Sequence, residues 1–173
     1  MYTMKEHLEY EKKGMQEVEN VFFKEMLGAE VVAVQDITYY RKQDVDLLVF
    51  NGDKRYKVEV KIDSMGDMTG NLFCEIVSNE SKGTQGCFVY TECDLWVYYL
   101  ANTKMLYMFP MDDFRDWVLG QEQGVWRNGR TATDVGNGGS YSSKGYLVPI
   151  HEVLTKAPQF VKVYDLNKKE RIH

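Results

Sequence analysis

From Arg55 to Asp63 apolar and polar residues alternate without a break. Tyr56, Val58, Val60 and Ile62 point one way, and Arg55, Lys57, Glu59, Lys61 and Asp63 point the other. A period of two is that of a strand covered on one face. Ahead of it, Leu47-Leu48-Val49-Phe50 is continuously apolar, as in a strand buried on both faces. Between the two runs, Asn51-Gly52-Asp53-Lys54 is a hairpin signal. If Gly52-Asp53 is the two-residue tip, Asn51 pairs with Lys54 and Asp46 lies opposite Glu59. If Asn51-Gly52 is the tip, Asp46 pairs with Lys57, still on the face of Glu59 and Lys61. A three-residue tip sends Asp46 to the other face. Directly opposed residues hold their Cβ atoms about 4.5–5.5 Å apart, a span that one cation bridges.

The rest of the chain reads as one α/β domain over residues 1–173. Met4 to Leu27 is rich in Glu, Lys and Met, good helix formers, and Met15, Val18, Phe22 and Met26 form an apolar stripe. Gly28 is its expected stop. Ala29 to Tyr40 reads as a first strand kinked at Gln35-Asp36. Trp96–Leu100 and Met105–Phe109 read as a second hairpin, and Met111–Leu119 as a short helix with Phe114, Trp117 and Val118 on its apolar face. A last helix is expected around His151 to Lys156. The glycine-rich stretch from about 120 to 145 is expected to be an irregular loop, with Arg127, Arg130 and Lys144 as phosphate-binding candidates and Trp126 or Tyr141 as a base-stacking surface.

Asp44 and Asp46 stand at the entrance of the apolar strand. Carboxylates there are costly unless paired or metal-bound. Two carboxylates and a lysine on one face are also the set that a metal-dependent phosphodiesterase needs. The plain alternative is that the charged residues of this strand are its solvated side.

Other chemistries have little to build from. Cys74, Cys87 and Cys93 form no Cys-x-x-Cys pair, which points to buried thiols in a reducing cytoplasm. His7, His151 and His173 lack metal-ligand spacing. No run approaches the roughly 20 apolar residues that span a bilayer, so no membrane partner is expected. The formal net charge is −5, and obligate DNA-binding domains tend to be basic. Any nucleic-acid affinity is therefore expected to be local and salt-sensitive.

Asp46, followed after a hairpin turn by Glu59-Val60-Lys61, resembles the signature of the PD-(D/E)XK nuclease superfamily. The superfamily's proline before the Asp is replaced by Val45. Thr69-Gly70-Asn71-Leu72-Phe73-Cys74-Glu75 and Thr91-Glu92-Cys93-Asp94-Leu95 are similar to segments of its phage- or prophage-type or Holliday-junction-resolvase-like branch. The resemblance covers roughly residues 15–110. It implies a restriction-endonuclease-like αβββαβ core with a mixed central sheet flanked by helices, and a DNA endonuclease using Mg²⁺ or Mn²⁺. Asp46, Glu59 and the Val60 carbonyl are then the metal ligands and Lys61 the catalytic lysine. Glu19 on the first helix is the expected further carboxylate, with Glu17 as the alternative. Glu75 is expected as an outer carboxylate and Asp94 as a strand-starting residue. DNA is the implied partner, and a homodimer is an expectation because relatives that cut both strands often pair. A non-catalytic nuclease-fold module that binds nucleic acid or a protein is the second expectation.

Overall fold

The Glu/Lys/Met-rich segment winds as a helix, α1 (Met4–Glu17), and continues as a π-helical stretch over Val18–Met26. There the Leu27 N–H donates to the Phe22 carbonyl, five residues back, at 3.1 Å. In the computed structural model, which describes residues 4–136 and 139–173, the chain then forms β1 (Glu30–Ala33) and one helical turn, α2 (Thr38–Arg41). It proceeds through β2 (Leu47–Asn51), β3 (Lys54–Asp63), α3 (Gly66–Thr69), β4 (Asn71–Asn79), β5 (Thr84–Gln85) and α4 (Cys87–Tyr90). Next come β6 (Leu95–Leu100), β7 (Met105–Pro110), α5 (Met111–Leu119), β8 (Arg127–Gly136) and β9 (Gly139–Pro149). The chain closes with α6 (Ile150–Lys156), β10 (Lys162–Asp165) and β11 (Glu170–Arg171).

Seven strands form the main sheet in the order β1-β2-β3-β6-β7-β10-β11. It is mixed: β3 and β6 run parallel, and the other neighbours are antiparallel. The alternation in β3 holds. Tyr56, Val58, Val60 and Ile62 pack with Val18, Phe22 and Phe23 of the first helix. The opposite face packs Trp96, Tyr98 and Leu100 of β6 against Leu72 and Cys74 of β4, Phe88 of α4 and Phe114 of α5. The mixed α/β architecture with a central sheet flanked by helices is thus present. Among the described residues, no helix is long and apolar enough to cross a membrane.

Two readings of the sequence need correction. Ile37 to Tyr40 does not extend the first strand. The connection must reverse to bring β2 antiparallel to β1, and α2 makes the turn, with the Tyr40 carbonyl accepting from the Gln43 and Val45 N–H groups (2.9 and 3.2 Å). Nor is 120–145 an irregular loop. Most of it is the β8–β9 ribbon, which joins β4 and β5 in a second, four-stranded antiparallel sheet. Asn137 and Gly138, from the glycine-rich stretch expected to be a loop, lie outside the described residues. The glycines that hid these strands have a packing role. Gly129 and Gly145 pair across the ribbon, and a Cβ on Gly145 would stand 2.8 Å from the Phe73 ring. The ring takes the space that side chains would fill.

Candidate active site

Gly52, at φ +60°, and Asp53 form the two-residue tip, with Asn51 paired to Lys54 and Leu47 to Val58. This is the first of the registers open to the sequence, and it brings Asp46 to Glu59. The Asp46 N–H donates to the Val58 carbonyl (2.9 Å), and Asp46 Oδ2 accepts from the Val60 N–H (2.9 Å). In a strand the N–H and C=O of one residue project to the same edge, so the Val60 carbonyl is presented toward Asp46 as well.

The two carboxyl groups share a hydrogen bond. Burial, then the Asp46 and Asp44 charges, push Glu59 well above the usual carboxylate range. Burial also raises Asp46, against the Val60 N–H, Glu59 and Lys61, which favour its charge. Burial works against the Lys61 ammonium. Its neighbours Cys87, Glu75, Asp63 and Glu59 nevertheless keep it above an ordinary lysine.

Three further groups close around this pair. Asp44 has φ +55°, and its carbonyl accepts from Thr91 Oγ1 (2.8 Å). Tyr90 OH donates to Asp44 Oδ1 (3.4 Å), while Oδ2 is buried with no hydrogen-bond partner. Burial and the nearby Asp46 charge lift the Asp44 carboxyl to about 6.

Glu75 sits where the β4–β9 pairing shifts register: Glu75 faces Gly145, Val77 faces Lys144, and Ile76 is the extra residue. Such bulges re-aim side chains. Glu75 Oε1 here accepts from the Cys87 N–H (3.5 Å), among the charges around Lys61. Gly86 makes this approach possible, since a Cβ there would lie 2.3 Å from the Glu75 carbonyl oxygen.

The first helix supplies nothing to this cluster. Val18 and Phe22, which flank Glu19, pack on the sheet face opposite Glu59 and Lys61. None of the groups acting on Asp46, Glu59 or Lys61 is Glu19. Glu17 is also engaged elsewhere, accepting from Tyr99 OH (2.6 Å) and from Lys104 Nζ (2.7 Å). The helix carboxylate that the resemblance implies is therefore not beside the trio. A periodic pattern locates a helix but not the sheet face it covers. Asp44 and Glu75 are the carboxylates that do approach. Asp44 could have been singled out by its place at the mouth of a buried strand.

Asp94 is structural, as expected: its Oδ2 accepts from the Lys57 N–H (2.7 Å). Arg130 and Lys144 are cross-strand partners in the ribbon, and Arg130 also pairs with Glu80 (3.0 Å). Arg127 lines a separate cleft. Trp126 is no stacking platform for a base. It is 7 % exposed, its indole N–H donates to the Val118 carbonyl (2.9 Å), and its ring lies 5.4 Å from Trp117.

Among the described residues, no group of three or more His, Cys, Asp or Glu is arranged to hold a metal ion. A carboxylate pair, a main-chain carbonyl and water is nonetheless a donor set suited to Mg²⁺, which keeps much of its hydration. The buried, unpartnered Asp44 Oδ2 and the crowding of Asp44, Asp46 and Glu59 mark an excess of acceptors that a hard cation relieves. The residues therefore fit such an ion.

No family model matches the chain, and no curated protein matches it. A solved bacterial homing endonuclease, I-Ssp6803I, is similar over 86% of this chain and 95% of its own, at 18% identity and a TM-score of 0.43.

Proposed function

We propose that this protein is a metal-dependent endonuclease that hydrolyses phosphodiester bonds of DNA at Asp46, Glu59 and Lys61. The reading rests on the hydrogen-bonded Asp46–Glu59 pair with Lys61 next along the same strand face, and it belongs with the PD-(D/E)XK resemblance of the sequence. Asp46, Glu59 and the Val60 carbonyl would hold Mg²⁺ or Mn²⁺. The bound ion would neutralise charge on the scissile phosphate and acidify water.

Lys61 stays protonated at neutral pH, its pKa raised among carboxylates. It therefore orients the attacking water and stabilises charge growing on the phosphate, rather than removing a proton. Glu75 is among the nearby charges that favour the ammonium. Water attacks phosphorus in line and gives up a proton to solvent, the bond to the 3′ oxygen breaks, and that oxygen takes a proton from solvent. The products are a 5′-phosphate and a 3′-hydroxyl.

A specific feature favours the second reading, a non-catalytic nuclease-fold module. The formal net charge is −5, which leaves little overall attraction for a polyanion. One assay separates the two. Wild type and Lys61→Ala protein are incubated with linear duplex, supercoiled, single-stranded and four-way-junction DNA in Mg²⁺, Mn²⁺ or EDTA. Metal-dependent cutting by wild type alone supports the nuclease. Full activity in Lys61→Ala overturns it, and no cutting of any substrate leaves the binding module.

A further inference from the structure

A second cleft, of about 460 Å³, opens at the end of the smaller sheet where β4 begins and β9 runs into α6. Its wall joins two chemistries. Val125, Leu147 and Pro149 supply an apolar surface. Arg127, His151 and Lys156 bring nitrogen donors to the same space. Glu152 lines the cleft too, and its carboxylate is ion-paired with Lys156. Arg127 is a different case: it is exposed, and no hydrogen bond or ion pair ties its guanidinium to another described residue. Thr69 and Asn71 add short polar groups beside it.

An apolar slot with a cationic edge matches a ligand that is flat and apolar at one end and anionic at the other. We infer that this cleft binds a nucleoside monophosphate unit, its base against Val125, Leu147 and Pro149 and its phosphate on Arg127. The unit is either a free nucleotide or one unpaired residue of a DNA strand. The second source rests on the nuclease reading. Glu75 lies four residues along β4 from Asn71, roughly 13 Å at strand rise. One strand would thus carry both the cleft and the carboxylate facing Lys61.

The test is binding, measured on catalytically silent Lys61→Ala protein by titration with thymidine monophosphate and, separately, with a fluorescein-labelled single-stranded oligonucleotide. Adding Arg127→Ala is expected to weaken whichever probe binds by about tenfold, the loss of a charge-assisted contact. Lys24→Ala, which removes an exposed lysine hydrogen-bonded only to Asn20, is expected to leave binding unchanged. Arg127-dependent binding of the mononucleotide identifies a free-nucleotide site. Such binding of the oligonucleotide alone identifies a strand-holding site. The inference is overturned if neither probe binds, or if Arg127→Ala binds like its parent. It is equally overturned if Lys24→Ala loses as much as Arg127→Ala. Because nothing here depends on cleavage, a cutting wild-type enzyme with an inert cleft would sink this inference and leave the nuclease standing.

Discussion

The two faces of the main sheet each bury carboxylates, and they treat them in opposite ways. On the helix-covered face, Glu17 receives Tyr99 OH and the Lys104 ammonium. Burial alone would raise its pKa, but these partners hold it below the usual carboxylate range. On the other face, Asp44, Asp46 and Glu59 crowd together, with one buried oxygen unpartnered and the Glu59 carboxyl pushed well above the usual range. The first arrangement ties down a helix. The second is a local cost that the rest of the fold sustains, which is the usual mark of a site kept for chemistry rather than for stability.

The contrast can be broken from either side. Lys61→Ala should act most strongly, lowering metal-dependent cleavage by about 10²-fold or more while the thermal transition stays cooperative. A plasmid-nicking time course alongside a melting curve reads both. Next is pH. Asp44 has an ordinary value of 3.8 and a folded value of about 6, so the folded state binds its proton more tightly. Its contribution is fully present below 3.8 and is lost as pH rises through about 6. Stability should fall by up to about 3 kcal/mol across that window, in urea titrations without metal. Asp44→Asn should remove that slope, and a wild-type profile flat from pH 4 to 6 contradicts the crowding.

On the satisfied face, Glu17→Ala should cost about 2 kcal/mol with no change in activity. That is less than a fully buried pair, since the Lys104 and Glu17 side chains are 27% and 22% exposed. Smallest, Glu59→Gln should raise stability by about 1 kcal/mol in metal-free buffer while abolishing Mn²⁺ binding by calorimetry. If Glu59→Gln is instead destabilised as much as Glu17→Ala, the two faces do not differ in kind.

How much of this was legible in the sequence follows from the range of the interactions involved. The Asp46–Glu59–Lys61 hairpin was readable because a two-residue period and a Gly-Asp tip are local signals. The Trp96–Phe109 hairpin and the Met111–Leu119 helix were readable for the same reason. The place of Glu19 was not readable in the same way, because the face a helix covers is decided by tertiary packing, here by Val18, Phe22 and Phe23 against Val58 and Val60. The ribbon was misread because Gly129 and Gly145 interrupt its pattern, and their compensation, Phe73, lies more than fifty residues away from either. Glu75 was named from resemblance, but its aim depends on a register shift that no local pattern encodes. Lys162–Asp165, which places Val163 and Tyr164 in the core beside β7, gave no distinctive signal in four residues.

The π-helical stretch changes what an insertion or deletion means in this protein. Between Val18 and Met26 the winding is wide enough that two consecutive residues, Phe22 and Phe23, are both buried, at 0% and 1% exposure. Removing a single residue there would let the backbone relax to the ordinary four-residue bonding pattern. The part of the helix beyond it would then change its phase relative to Gly14, which is seated against Ile62. The segment therefore acts as a phase adjuster between two anchored halves of one rod. Its length would be less forgiving of change than its composition.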